Sequence, residues 1–93
     1  MYKLTNTNQY KKDLKRIASN PDLVKEINKV VRLLATNDIP LPEQYRDHPL
    51  KGKYLGFREC HIRPDWLLVY KKDKNDLILM LVRTGTHSYI FKA

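Results

Sequence analysis

The sequence predicts an α+β fold, in which a short N-terminal strand and a helix hairpin pack on an antiparallel sheet of about four strands. Apolar residues recur at helical spacing through the first third of the chain. Two strongly apolar runs joined by a polar turn fill the last third. Between them lies a segment rich in proline and glycine. At 93 residues the chain is one small domain spanning residues 1–93, with no room for a second core.

Residues 2–5 alternate and read as a first strand. Tyr10, Leu14, Ile17 and Ala18 then mark one face of an amphipathic helix, with lysines and Arg16 between them. Asn20, Pro21 and Asp22 break and restart the helix, as N-cap, first helical residue and first-turn acid respectively. Leu23, Ile27, Val30, Val31 and Leu34 line the second helix, and Asn37, Asp38 and Pro40 stop it.

Residues 39–56, with three prolines and two glycines, read as an ordered loop. Its length in so small a domain points to function. Residues 57–63 and 66–72 form strands around a turn at Pro64 and Asp65, and residues 77–83 form another after the polar turn 73–76. Both parities of the last two are apolar, as in central strands covered on both faces. Gly85 interrupts the pattern, and residues 89–91 add a short closing strand.

Composition narrows the function. Hydrophobic residues make up 42% and charged residues 30% of the chain, as in a globular fold. No run approaches the roughly 18 apolar residues of a membrane span, and residues 1–20 lack a signal-peptide core. The single cysteine, Cys60, has no internal partner, which fits a cytoplasmic protein. It reads as a core residue rather than a reactive thiol. The net charge of +8 favours a polyanionic partner such as nucleic acid.

The segment 47–66 and the short block 83–87 together hold all three histidines, set among Lys, Arg, Glu and Asp. Imidazole exchanges protons near neutrality, with an ordinary pKa of about 6.5. Histidines among cations attract a phosphate and move protons beside it, which points to RNA cleavage. In a regular strand over 57–63, Glu59 and His61 face one way and Cys60 and Ile62 the other. The second pair suits a core, so the first pair faces outward into a concavity. If Glu59 and His61 stand alone, a solvated strand face is the better account of them.

His48 lies in the long loop, and His87 follows the last long strand. Lys51, Lys53, Arg58 and Arg83 are candidate phosphate contacts. Tyr54, Phe57, Trp66 and Phe91 are candidates for stacking on bases, with Trp66 better suited to the core. No histidine spacing matches a metal motif, and neither a nucleophile elbow nor a glycine-rich phosphate loop is present, so no metal or cofactor is expected.

Three blocks carry a resemblance. They are Asp47-His48-Pro49-Leu50-Lys51-Gly52; Gly56-Phe57-Arg58-Glu59-Cys60-His61-Ile62 with Pro64-Asp65-Trp66; and Arg83-Thr84-Gly85-Thr86-His87 with Phe91. Together, in register from Tyr45 to Phe91, they closely resemble the YafQ branch of the RelE superfamily. The resemblance implies a bacterial, cytoplasmic type II toxin, a ribosome-dependent endoribonuclease that cuts mRNA in the decoding site of the 70S ribosome. It also implies a cognate antitoxin, through which alone the toxin meets operator DNA. By motif position, His48, His61, Asp65, His87 and Phe91 match the family's active-site set. Glu59 stands where a relative can carry aspartate, and Arg83 where a phosphate contact is plausible. The alternative is a non-catalytic module that binds nucleic acid or antitoxin, a degenerate toxin acting as co-repressor. It explains the charge but not the histidines.

Overall fold

Thr7 and Asn20 begin the two long helices, and each does so with its side chain. Thr7 Oγ1 accepts from the Tyr10 amide at 3.0 Å, and Asn20 Oδ1 accepts from the Leu23 amide at 3.3 Å. These caps satisfy amides that the first helical turn leaves unpaired. In the computed structural model, which describes residues 1–92, they open helices α1 (Asn8–Arg16) and α2 (Pro21–Thr36). Leu23, Ile27, Val30, Val31 and Leu34 of α2 are all buried, as their spacing predicts. On α1 the buried positions are Tyr10 and, unexpectedly, a carboxylate, Asp13.

The strands are β1 (Lys3–Asn6), β2 (His48–Pro49), β3 (Arg58–Arg63), β4 (Trp66–Asp73) and β5 (Ile78–Gly85). They form one five-stranded sheet in the order β1-β5-β4-β3-β2. The α+β class holds, with differences from the expected sheet. β1 lies parallel to β5, with Lys3 opposite Ile78 and Asn6 opposite Leu81, so the sheet is mixed. The helices carry the chain across one face of the sheet between β1 and β2. Successive antiparallel turns then bring β5 back alongside β1 in the same direction.

The proline-rich segment is also more ordered than a plain loop. It holds one-turn 3₁₀ helices at Glu43–Tyr45 and Gly52–Tyr54, with β2 between them, and β2 pairs His48 with Glu59. Leu77 has a φ of 53° and belongs to the preceding turn, while β5 runs on through Gly85. The expected closing strand at 89–91 is absent. Instead, α3 (His87–Ile90) starts there, because Thr86 Oγ1 accepts from the Tyr89 amide at 3.2 Å and directs the chain into a helical turn.

Two apolar layers sandwich the sheet. Beneath the helices lie Cys60, Ile62, Leu68, Tyr70, Leu79 and Leu81 together with the buried faces of α1 and α2. On the opposite face, Leu67, Val69 and Ile90 form a smaller cluster with Leu50, Phe57, Val82, Tyr89 and Phe91. The layers follow strand alternation. No helix among the described residues is long and apolar enough to cross a membrane.

Candidate active site

Strand β3 sets the first wall of the site. Cys60 is 0% and Ile62 9% exposed on the helix side, so Glu59 and His61 point to the opposite face. Glu59 itself is only 5% exposed. A carboxylate that well buried requires partners for its charge, and the neighbouring strand supplies one. Because β2 places His48 opposite Glu59, the His48 Nε2 lies 3.1 Å from Glu59 Oε2. His61 Nε2 approaches the same oxygen to 3.9 Å. The other carboxylate oxygen, Oε1, is buried with no hydrogen-bonding partner among the described residues.

The far side of each of these rings is also held. His48 Nδ1 lies 2.7 Å from the Arg46 carbonyl oxygen, and His61 Nδ1 lies 3.3 Å from that of Pro64. A carbonyl can only accept, so at these contacts each Nδ1 carries a proton and Nε2 is the nitrogen that faces Glu59. Arg46 reaches this position through a left-handed backbone, with φ 47° and ψ 44°, as it closes the Glu43–Tyr45 turn. The two imidazoles stand 6.3 Å apart between centroids, on either side of one carboxylate.

The second wall is α3. His87 and Phe91 are one helical turn apart and meet at 5.0 Å between ring centroids. The turn is anchored by Ile90, which is buried, and by its close approach to β5, since a Cβ at Gly85 would fall 2.9 Å from Tyr89 Cδ2. The third wall is the turn Gly52–Tyr54, whose Tyr54 ring meets Phe91 edge-on at 5.2 Å. The walls enclose a cleft of about 290 Å³ lined by His48, Leu50, Lys51, Tyr54, Glu59, His87 and Phe91.

The cleft therefore unites six expected residues: His48, Lys51, Tyr54, Glu59, His87 and Phe91. His61 joins through Glu59 and lines an adjoining recess with Arg46 and Pro64. Lys53 is exposed beside the site, its ammonium 5.6 Å from the centre of the Tyr54 ring. Asp65 lies exposed in the turn between β3 and β4, and the buried carboxylate beside the imidazoles is Glu59 instead.

Arg58 departs from expectation. It shares the parity of Cys60, so it faces the helix side and pairs with Asp47, its Nε 3.3 Å from Oδ1. Tyr70 donates to the same Asp47 oxygen at 2.6 Å, which closes a structural triad away from the cleft. Arg83 is fastened as well. Its Nε donates to Asp13 Oδ2 at 2.9 Å, and the Thr84 amide donates to that oxygen at 3.0 Å. The Arg83 side chain is still 19% exposed, and the Asp13 carboxylate keeps its guanidinium protonated.

Trp66 donates to Thr84 Oγ1 at 2.8 Å and serves the core, as expected. Burial pushes the Cys60 thiol well above its ordinary value, so it is no nucleophile near neutrality. Sequence reasoning did not assign Leu50 to the site, nor find the Asp13 anchor. The interruption of the apolar face of α1 by Asp13 was the available signal for the latter.

The fold is shared by small bacterial toxins. A metal-bound toxin from Helicobacter pylori is similar at a TM-score of 0.87 and 46% identity, covering 98% of this chain and 100% of that one. The Escherichia coli DinJ–YafQ toxin–antitoxin complex contains a chain similar at a TM-score of 0.85 and 38% identity, with 97% of each chain covered. In sequence, the mRNA interferase toxin YafQ of Escherichia coli strain K12 is 41% identical over 83 residues, 89% of this chain and 88% of the relative. The model of the bacterial type II toxin–antitoxin toxins of the YafQ type matches residues 2–92. The chain belongs to the YafQ toxin family.

Proposed function

We propose that this chain is a ribosome-dependent mRNA endoribonuclease that cuts RNA by histidine acid–base catalysis and is restrained by a cognate antitoxin. The observation that carries the reading is Glu59, buried between His48 and His61 and facing His87 across one cleft. The mRNA interferase name of the Escherichia coli relative and the toxin–antitoxin complex of its structural counterpart support the same reading.

The chemistry follows from the groups on the two walls. The ribose 2′-OH loses its proton to the neutral form of His48 or His61 at Nε2, and the Glu59 carboxylate stabilises the imidazolium that forms. The 2′-oxygen attacks the adjacent phosphorus and the bond to the 5′-oxygen breaks. His87, on the opposite wall, delivers a proton to the departing oxygen, leaving a 2′,3′-cyclic phosphate and a 5′-hydroxyl. General acid and general base groups each contribute about 10²–10⁴-fold to such a reaction. Lys51 at the cleft and Arg83, in one cross-strand row with Val69 and Glu59, supply positive charge for the phosphorane, and Phe91 positions the ribose or base. Among the described residues, no group of three or more His, Cys, Asp and Glu side chains is arranged to hold a metal ion, and no step here runs through one.

The net charge of +8 makes RNA and ribosome association strongly salt-dependent, because binding releases counterions from the phosphates. The decisive experiment adds purified chain to ribosomes programmed with mRNA and maps cuts by primer extension. Codon-phased cuts that disappear when ribosomes are omitted support the reading. An intact message with folded protein present would assign the chain to antitoxin or nucleic-acid binding alone.

A further inference from the structure

The three imidazoles of the site are held by different means. His48 and His61 each have a main-chain carbonyl at Nδ1 and the Glu59 carboxylate near Nε2. His87 has none of these polar partners among the described residues and is exposed, and its ring packs against Phe91. An imidazole on a four-residue helix near the chain end has several rotamers open to it. Holding one of them falls to Phe91, whose own position must then be fixed from outside the helix.

Tyr54 supplies that fixture. Its ring meets Phe91 at 5.2 Å with an interplanar angle of 87°, and meets Phe57 at 6.4 Å and 71°. Edge-to-face pairs of this kind are worth about 0.5–1.5 kcal/mol beyond the area they bury. They also fix direction, because the positive ring edge seeks the negative face of its neighbour.

The turn that carries Tyr54 is tied to the strand that follows it. Gly52 at φ 65° and Gly56 at φ 95° occupy the left-handed region that side chains disfavour. The Tyr54 carbonyl accepts from the Phe57 amide at 3.0 Å, and the Phe57 carbonyl accepts from the Leu50 amide at 2.9 Å. Phe57 leads directly into β3, which carries Glu59. The aromatic chain Phe57–Tyr54–Phe91–His87 thus links the strand of the base to the turn of the acid.

We propose that Tyr54 is a positioning residue, which sets the geometry of His87 for proton delivery by clamping Phe91 with its ring. The role needs the aromatic ring and not the hydroxyl. It rests on the acid assignment of His87 made above.

The test is single-turnover cleavage on programmed ribosomes by the wild type, Tyr54→Ala, Tyr54→Leu and Tyr54→Phe, with imidazole and aromatic NMR signals recorded on the free proteins. Tyr54→Ala should lose roughly 10- to 100-fold in kcat, since small misplacements of a reacting group cost that much, while KM stays within about twofold. Tyr54→Phe should restore the wild-type rate. In the Ala variant the His87 and Phe91 signals should shift or broaden, while those of His48 and His61 stay in place. Tyr54→Leu keeps apolar bulk without the edge-on geometry. It should show the same kcat loss and NMR change, which covers the case in which Tyr54→Ala does not fold.

Wild-type kcat in folded Tyr54→Ala or Tyr54→Leu would overturn the proposal, as would a Tyr54→Phe variant as slow as alanine. If the wild type itself cuts nothing, the functional reading fails. The NMR comparison still decides whether Tyr54 positions His87, because it needs no RNA.

Discussion

The two walls of the cleft hold their imidazoles by opposite strategies. On the β2–β3 wall, a buried carboxylate and two main-chain carbonyls fix His48 and His61 through polar contacts. On the α3 wall, His87 is solvent-exposed and rests on an aromatic ring. The carboxylate and carbonyls orient the imidazoles of one wall, whereas the imidazole of the other meets a substrate from the solvent side. The asymmetry of the cleft supports the proposed assignment of the base to the β2–β3 wall and the acid to the α3 wall, which the spacing of the histidines alone left interchangeable.

The largest expected effect tests the α3 wall. His87→Ala should reduce cleavage by about 10³-fold or more in single-turnover assays, since it removes the proposed general acid. Its melting temperature should stay within about 2 °C of wild type, because an exposed side chain carries little stability. A folded His87→Ala protein with full activity would remove His87 from the mechanism.

Next comes the opposing wall. Glu59→Gln keeps the shape but removes the charge that both imidazoles face, and should slow cleavage by about 10²-fold. Its NMR spectrum should show moved His48 and His61 signals and an unmoved His87, which would establish that the walls are independent. Coupled movement of all three would break the comparison.

A smaller effect probes the scaffold under both walls. Burial raises the Tyr10 hydroxyl from its ordinary 10.0 to about 12, with the Asp13 charge adding to it. Its neutral form is favoured in the fold, so its contribution is intact below pH 10 and fades as pH climbs from about 10 towards 12. Alkaline unfolding should therefore begin in that window and be milder in Tyr10→Phe, by a few kcal/mol at most. Identical alkaline melting curves would show that Tyr10 does not titrate with unfolding. The smallest effect concerns Cys60, which should resist thiol reagents in the native protein and react only on unfolding. Rapid native labelling at pH 8 would contradict its burial.

Helix periodicity and strand alternation made most of this fold legible. The apolar face of α2 and the split of Glu59 and His61 from Cys60 and Ile62 follow from local spacing alone, whereas α1 ends at Arg16 and leaves Ala18 of its expected face exposed. Tertiary pairing was less accessible. Nothing local to residues 2–5 distinguishes a parallel partner some 75 positions away from an antiparallel one nearby. Residues 89–91 misled for a related reason, as three apolar side chains in a row carry no period, and the hydroxyl of Thr86 decides their form. Arg58 shows the limit of charge reading. Its parity with Cys60 already placed it under the helices, whereas its basic character alone had suggested a phosphate contact. Asp65 and Glu59 show another limit, since sequence position cannot tell which carboxylate is buried beside an imidazole.

The parallel pairing of β1 with β5 also bears on how the protein is made. Lys3 to Asn6 leave the ribosome some 75 positions ahead of their hydrogen-bonding partners, Ile78 to Leu81. The β1 edge of the sheet stays open until those partners follow, and closing so long a loop is entropically costly and slows folding. The α3 turn that bears His87 follows that same late strand directly. A chain translated only as far as β4 thus lacks both this strand pairing and one wall of its cleft, and the order of synthesis delays assembly of the site until β5 and α3 have been made.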